Sequence, residues 1–316
     1  MPVRRAESKP RAAAPLPLGR EHARCVDALD RAGVLTPLPK SGRPGVVGID
    51  GREYPAPGLE QVAALIEQSR DLVGLKVAQG FDRLELTPMA MPVRVLIELL
   101  RAAITRRAAG GGVYRTRRSP DEALTPVRVN AEKQVWVWET LSAALDSDAL
   151  AYFPQVYGHE HFGQTKAQVI GDPRACAIPG WSVGLVESQA LMPQAGQGQT
   201  RGGRRQLEVG LSPREYLNAL QAQAHHGETG RTLEDFITAF LTRLTTTGEV
   251  SHDVSDNNAL WLLGHYLKVP YADLVPTGRW IRDLGRVRLD LHRSGNKLCT
   301  KSFGAATTVR RAGVGG

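Results

Sequence analysis

Residues Gly180–Gly248 read GWSVGLVESQALMPQAGQGQTRGGRRQLEVGLSPREYLNALQAQAHHGETGRTLEDFITAFLTRLTTTG. An apolar run, WSVGLVE, is the best strand candidate of the chain. A basic, glycine-rich loop follows it. Ser212, Pro213 and Glu215 then make a capping box with proline at the first helical position. Tyr216, Leu217 and Leu220 supply the inward face of that helix. In the next helix Thr232 is the N-cap, and Glu234 and Asp235 occupy the first turn, where the helix dipole favours acids. Leu233, Phe236, Ile237, Phe240, Leu241 and Leu244 recur in steps of three and one, a core stripe closed by Gly248.

Working outward, Arg20–Ala32 predicts a helix with Cys25, Val26 and Leu29 on one face and Gly33 just past its end. VVGIDGREYP reads as a hairpin turning at Asp50-Gly51. Pro57 to Arg70 reads as a second helix. Phe81, Leu84 and Leu86 mark a strand, and Pro92 opens a helix whose buried face is Val93, Leu96, Ile97, Leu100 and Ile104. QVWVWE alternates in period two, AYFPQVY reads as an edge strand, and TKAQVIG as one or two helical turns. On the far side, Asn257–Lys268 predicts a third helix with Leu260, Leu263 and Leu267 inward. Beyond Val275 the chain reads as basic and irregular, anchored by Trp280. Strands before residue 190 and helices after 211 imply an α+β fold: a small mixed or antiparallel sheet from the first half packed on a C-terminal helical cluster. The segments are a basic disordered arm (1–19), an α+β part (20–190), the Gly/Arg-rich loop (191–211), a helical part (212–270) and a basic C-terminal segment (271–316), with 20–316 readable as one domain.

The 316 residues carry a net charge of +8, unevenly placed. The span Arg279–Arg311 has nine Lys/Arg against two acids, and Arg101–Arg118 has six arginines and no acid. Such segregation points to an anionic partner, DNA or RNA in particular. Part of the second cluster has a structural explanation, because cations suit the C-terminal end of a helix. No apolar run approaches the ~20 residues of a membrane helix. Cys25, Cys176 and Cys299 lie far apart with no CxxC pair, which fits a reducing cytoplasm and excludes a cysteine zinc site.

Four motifs bear on chemistry. Gly180-Trp181-Ser182-Val183-Gly184 matches G-x-S-x-G, but a nucleophile elbow needs a strand before the serine and a helix after it. Here the apolar run follows, so Ser182 is expected inside a strand. In Gly196–Arg205 glycines let successive N–H groups converge and arginines add forked donors. Arg201, Gly202, Gly203, Arg204 and Arg205 are therefore the candidate anion or phosphate site, although the loop matches neither the P-loop nor the dinucleotide spacing. His159-Glu160-His161 places two imidazoles at i and i+2 with no third ligand fixed by spacing, so no metal is expected. His225, His226, His252, Asp253 and Asp256 fall in turns between helices, and Trp136 and Trp138 offer rings for packing or for stacking on bases.

Several stretches carry a wider resemblance: IDGREYPAPGLEQ, GFDRLELTPMAMPVRVLI, HFGQTK, TRGGRRQLE, GETGRTLEDFITAFLTRL and FGAATTVR. Together they resemble a bacterial protein family with no established activity, over most of the chain after the arm. The resemblance implies no catalytic residues. It puts weight on the GGR…QLE core, matches a histidine at His161 and none at His159, and shows no fixed serine at Ser182.

Three functions follow as expectations. The first is non-catalytic binding of nucleic acid or another polyanion through Arg106, Arg107, Arg115, Arg117, Arg118, Arg286, Arg288, Arg293 and Lys297. The second is an enzyme or binder of a phosphorylated small molecule that uses the Gly/Arg loop, with His161, Asp235 or Asp253 as acid–base groups. The third is an assembly subunit that self-associates through its tails. No spacing in the chain fixes a cofactor or a reaction.

Overall fold

The computed structural model describes residues 16–117, 119, 121–187, 192–251, 259–295 and 303–310. Its helices are α1 (Leu18–Arg31), α2 (Leu59–Gln68), α3 (Arg70–Ala78), α4 (Val93–Gly110), α5 (Glu139–Ala144), α6 (Lys166–Gly171), α7 (Pro213–Leu220) and α8 (Leu233–Thr247). Its strands are β1 (Thr36–Pro37), β2 (Pro44–Val47), β3 (Glu53–Pro55), β4 (Arg83–Thr87), β5 (Val135–Val137), β6 (Leu150–Tyr152), β7 (Ser182–Val186) and β8 (Thr200–Arg201) in the first part. They continue as β9 (Arg204–Arg205), β10 (Glu228–Gly230), β11 (Ala259–Trp261), β12 (His265–Val269), β13 (Ala272–Ile281), β14 (Arg286–Arg293), β15 (Phe303–Ala305) and β16 (Thr307–Val309). Among the described residues no helix is long and apolar enough to cross a membrane.

The α+β class holds, and α8 is its central element. Thr232 caps α8 by accepting the Asp235 N–H while the Asp235 side chain accepts the Thr232 N–H, and Gly248 ends it at φ +76°. The expected stripe is buried, and so are Glu234, Asp235 and Thr238. Helices α1 and α4 pack on α8, and its Phe236 and Phe240 share a core with Val287, Leu289 and Trp280 of the largest sheet. Phe236 lies flat on Gly278 of β13, where a Cβ would come within 2.6 Å of its ring. Only glycine allows that approach of helix to sheet.

The largest sheet has seven strands centred on β13. One edge of β13 pairs with the whole of β14 from Leu274 to Ile281, and β14 holds β5 in parallel. The other edge is shared by β11 and β12, which carry β15 and β6 respectively. The face away from α8 packs Trp261, Tyr266, Val275 and Phe303 against Tyr216 and Leu217 of α7. A second, antiparallel sheet runs β10-β16-β7-β4, so it joins strands from residues 83–87, 182–186, 228–230 and 307–309. Strands β1, β2 and β3 form a small separate sheet, and β8 and β9 form a hairpin.

Two sequence expectations are corrected here. The helix expected over Asn257–Lys268 is replaced, in its described residues from Ala259 on, by β11 and β12, joined at Gly264, which approaches Gly230 so closely that a Cβ would meet the Gly230 carbonyl at 2.7 Å. The leucine spacing was helical, but Trp261, Leu262 and Tyr266 are buried between those leucines, the continuous burial of strands covered on both faces. The segment past Val275 is not irregular: β13 and β14 form the longest hairpin of the fold. Val287, Leu289 and Leu291 alternate with Arg286, Arg288 and Asp290, so its charges mark one face of a strand and not a tail. Of the first-half strands, β1, β2 and β3 form a sheet of their own and β4 pairs with β7, while β7 also pairs with β16, and β5 and β6 join β14 and β12.

Candidate functional site: an arginine-lined cavity beside helix α8

The run Gly227–Asp235, GETGRTLED, passes from β10 into α8, and its charged side chains point inward. Glu228 accepts bonds from Lys76 Nζ (2.7 Å), from Arg204 Nε and a terminal nitrogen (2.7 and 2.9 Å) and from Thr307 Oγ1 (2.7 Å), with His225 Nδ1 at 3.2 Å. Burial alone would raise its carboxyl. The bonds from His225, Arg204 and Lys76 override that and hold it at about 2. Glu234 accepts from Tyr152 Oη (2.7 Å) and faces His265 Nε2 (3.3 Å) and Lys166 Nζ (3.1 Å). Against full burial, Lys166 and His265 keep it well below the usual carboxylate range. Asp235 accepts from Thr87 Oγ1 (2.9 Å), the Thr232 N–H and Arg310, and is lowered against burial by Arg310 and Arg231. Arg310 Nε also donates to Ser182 Oγ at 2.8 Å.

Beside these networks lies a cavity of about 600 Å³. Its walls come from α1, β4, the end of β7, β9, the flank of α8 from Thr238 to Thr247, and the link from β15 to β16. Arg24, Arg83, Arg117, Arg204, Arg231 and Arg243 line it, against Glu85, Glu187 and Glu249. Among the described residues no aspartate or lysine joins them, so the described lining carries three more positive than negative side chains.

The arginines are held unequally. Arg204 sits on the Phe81 ring at 4.6 Å, bonds Glu228 twice and reaches Glu187 at 2.8 Å. Arg231 reaches both Glu85 oxygens at 2.5 Å and the Asp235 carbonyl at 3.2 Å. Burial outweighs Arg231 in raising the Glu85 carboxyl above its ordinary value. Arg24 pairs with Glu21 at 2.9 Å and donates to the Leu84 carbonyl at 2.7 Å. Arg117 and Arg243 each take one oxygen of Glu249 at 2.6 Å. Arg83, half-buried and pushed down by burial and by Arg24, has no hydrogen bond or ion pair among the described residues. Thr238 Oγ1, Arg231 Nε and Arg243 Nε are buried without a hydrogen-bond partner. The Cys25 thiol donates to the Leu84 carbonyl, and burial pushes it up to about 11, which keeps it protonated and inert.

The sequence-predicted anion loop is placed differently from its nominal role. Gly202 and Gly203 (φ +52° and +77°) turn the β8–β9 hairpin. The converging N–H groups of Gly196 and Gly198 already bind an anion, the Glu208 carboxylate, at 2.6 and 2.9 Å. Arg205 pairs with Glu208 and Arg201 bonds Gln199, so of the five nominated residues only Arg204 reaches the cavity.

The nominated nucleic-acid arginines do not converge either. Arg106 and Arg293 are exposed, and Arg107 packs against Gly248. Arg115 pairs with Glu122, and Arg117 lines the cavity. Arg286 and Arg288 stack over Trp136 at 6.0 and 4.5 Å, and Arg288 pairs with Asp290 at 2.6 Å. Arg118, Lys297, His252, Asp253 and Asp256 lie outside the described residues, as does most of the expected basic arm.

Ser182 is buried mid-sheet opposite Thr87. His159 bonds Lys268 Nζ at 2.8 Å, whereas His161 accepts the Gly163 N–H at 3.0 Å, and its imidazole is pushed down by burial and Lys268. Among the described residues no group of three His, Cys, Asp or Glu could hold a metal. Sequence reasoning missed Arg24, Arg83, Arg231 and Arg243. The available signal was Thr238, Thr242 and Thr246 beside Arg243, a polar stripe next to the apolar one on α8. Comparison of the chain with protein-family models, curated proteins and solved structures returns no match.

Proposed function

We propose that the chain binds an anionic small molecule, phosphorylated or carboxylated, in the arginine-lined cavity beside α8. The observation that carries this reading is the six arginines that line one cavity, of which the Arg83 side chain has no hydrogen bond or ion pair among the described residues. A guanidinium offers a rigid fork of donors that fits phosphate or carboxylate oxygens, and a half-buried setting screens it less than bulk water would. Arg204 and Arg231, tied to carboxylates, set the shape and potential of the middle of the cavity. Glu85, raised by burial, is the acid–base group the cavity would offer to a reaction. Titration calorimetry with inorganic phosphate and pyrophosphate tests the reading. Binding should weaken at least tenfold in R83Q while Tm stays unchanged. Absence of binding by the wild-type chain would sink it.

A second reading, contact with single-stranded nucleic acid, is favoured by one feature. Arg286 and Arg288 lie over Trp136, and Trp138, with its ring 6.4 Å away, is 40% exposed. Rings and guanidiniums of this kind stack on bases. It predicts binding in a low-salt filter assay that falls steeply with salt and is lost in W138A. Self-association and a cytoplasmic location remain part of the proposal, and light scattering reads the former.

A further inference from the structure

We infer that the cavity takes its anion together with one proton, which Glu85 receives, so that occupancy of the site is linked to pH; this rests on the anion-binding reading above.

Three carboxylates line the cavity among the described residues, and two of them are well held. Glu249 gives one oxygen to Arg117 and the other to Arg243, each at 2.6 Å. Glu187 accepts from Arg204 at 2.8 Å and from Gln206 at 3.5 Å. Glu85 is held less well. Among the described residues its carboxylate hydrogen-bonds Arg231 alone, both oxygens meet the same nitrogen, and that nitrogen also reaches the Asp235 carbonyl. Opposite Glu85 in the sheet stands Gly184, which has no side chain to add a donor.

The other groups around Glu85 pull both ways. Arg310 follows β16, and Arg24 and the Cys25 thiol come from α1, whereas Asp235 at the start of α8 is a buried carboxylate of like sign. Burial and Asp235 outweigh Arg231 and Arg310, and the Glu85 carboxyl is pushed above its ordinary value.

Arg83 lies two residues before Glu85 on β4, and alternate residues of a strand share one face, about 7 Å apart. Both side chains line the cavity. An anion that settles on Arg83 therefore brings a further negative charge beside Glu85, and a like charge favours the neutral carboxyl. Once neutral, Glu85 no longer competes for Arg231, and that guanidinium is left to pair with the anion. The linkage is reciprocal: if the anion draws a proton onto Glu85, the proton raises the affinity for the anion. In the empty cavity Glu85 titrates above its ordinary 4.5, and with the anion bound it titrates higher still. Affinity is therefore greatest below both values and falls as pH rises between them. No histidine joins the lining among the described residues, and the Cys25 thiol stays protonated up to about 11, so between pH 5 and 8 the slope belongs to a carboxylate.

Sulfate is the probe, because it keeps both negative charges from pH 5 to 8 and any pH dependence then comes from the protein. Calorimetry on the full chain should show binding at least ~10-fold tighter at pH 5 than at pH 8. Up to one proton should be taken up per sulfate, read from two buffers of different ionisation enthalpy. E85Q, which holds the neutral form at every pH, should bind sulfate nearly equally at both values, take up no proton, and match at pH 8 the wild type at pH 5. Proton uptake by the wild type is read without any variant, so it stands as a test even if E85Q does not fold. Equal wild-type affinity at the two pH values with no proton uptake, or a folded E85Q that keeps the pH dependence, overturns the linkage and leaves the anion site standing. Absence of sulfate binding at every pH overturns both.

Discussion

The two flanks of the entry to α8 handle buried charge in opposite ways. At Gly227–Asp235 each carboxylate meets several donors: Glu228 has Lys76, Arg204, His225 and Thr307, and Glu234 has Tyr152, His265 and Lys166. Across the cavity wall the donors outnumber the acceptors, and Arg83 has none among the described residues. Taking a charge out of water costs several kcal/mol, so a matched set is a requirement of folding. An unmatched guanidinium at a cavity has no such explanation, and the anion site proposed above rests on it. The Gly/Arg loop belongs to the first kind, because Glu208 and Glu228 consume its donors.

The sharpest way to break this contrast is to remove a hub. E228A leaves Lys76 and Arg204 buried without their carboxylate, and unfolding in urea should show a loss of about 3–5 kcal/mol. A loss under 1 kcal/mol would mean that water reaches the network and that it is no different from the cavity. Acid probes the same hub with slightly less force. The Glu228 carboxyl falls from an ordinary 4.5 to about 2 on folding. Between these values the unfolded chain binds more protons, so stability rises with pH. This group's share, about 3 kcal/mol, is present in full above pH 4.5 and is lost as pH falls toward 2. Urea titrations between pH 2.5 and 6 should show that slope in the wild type and a shallower one in E228Q.

What was legible in the sequence divides along the same line. The caps at Ser212 and Thr232, the stripe on α8 and the strand at Ser182–Val186 are local signals, and each formed where it was read. Failure came where local period and tertiary partner disagreed. The Leu260–Leu267 spacing imitated a helix, and the arginines of β14 imitated a tail, because β6 and β5, which pair with β12 and β14, are remote in sequence. The charges of GETGRTLED were legible as helix-capping residues but not as hubs. Their partners Lys76, Tyr152, Lys166 and His265 lie from 31 to 152 residues away. The cavity was invisible for the same reason. Its arginines enter one at a time from α1, β4, β9 and α8, and none stands in a motif.

Two smaller effects sharpen the comparison from the cavity side. Glu85 is the internal competitor for Arg231, so E85Q frees that guanidinium. Phosphate affinity should then rise about tenfold, roughly the 1.4 kcal/mol of one such difference. An affinity that falls instead would show that Glu85 positions Arg231 for the ligand. The smallest expected effect on folding is the most informative. R83Q removes a charge that touches no carboxylate and sits beside Arg24, whose like charge disfavours it. Its unfolding free energy should stay within about 0.5 kcal/mol of the wild type, as for substitutions that break no buried contact. A fall of 2 kcal/mol or more would place Arg83 with the hubs, as part of the scaffold, and would remove the one arginine on which the anion reading most depends.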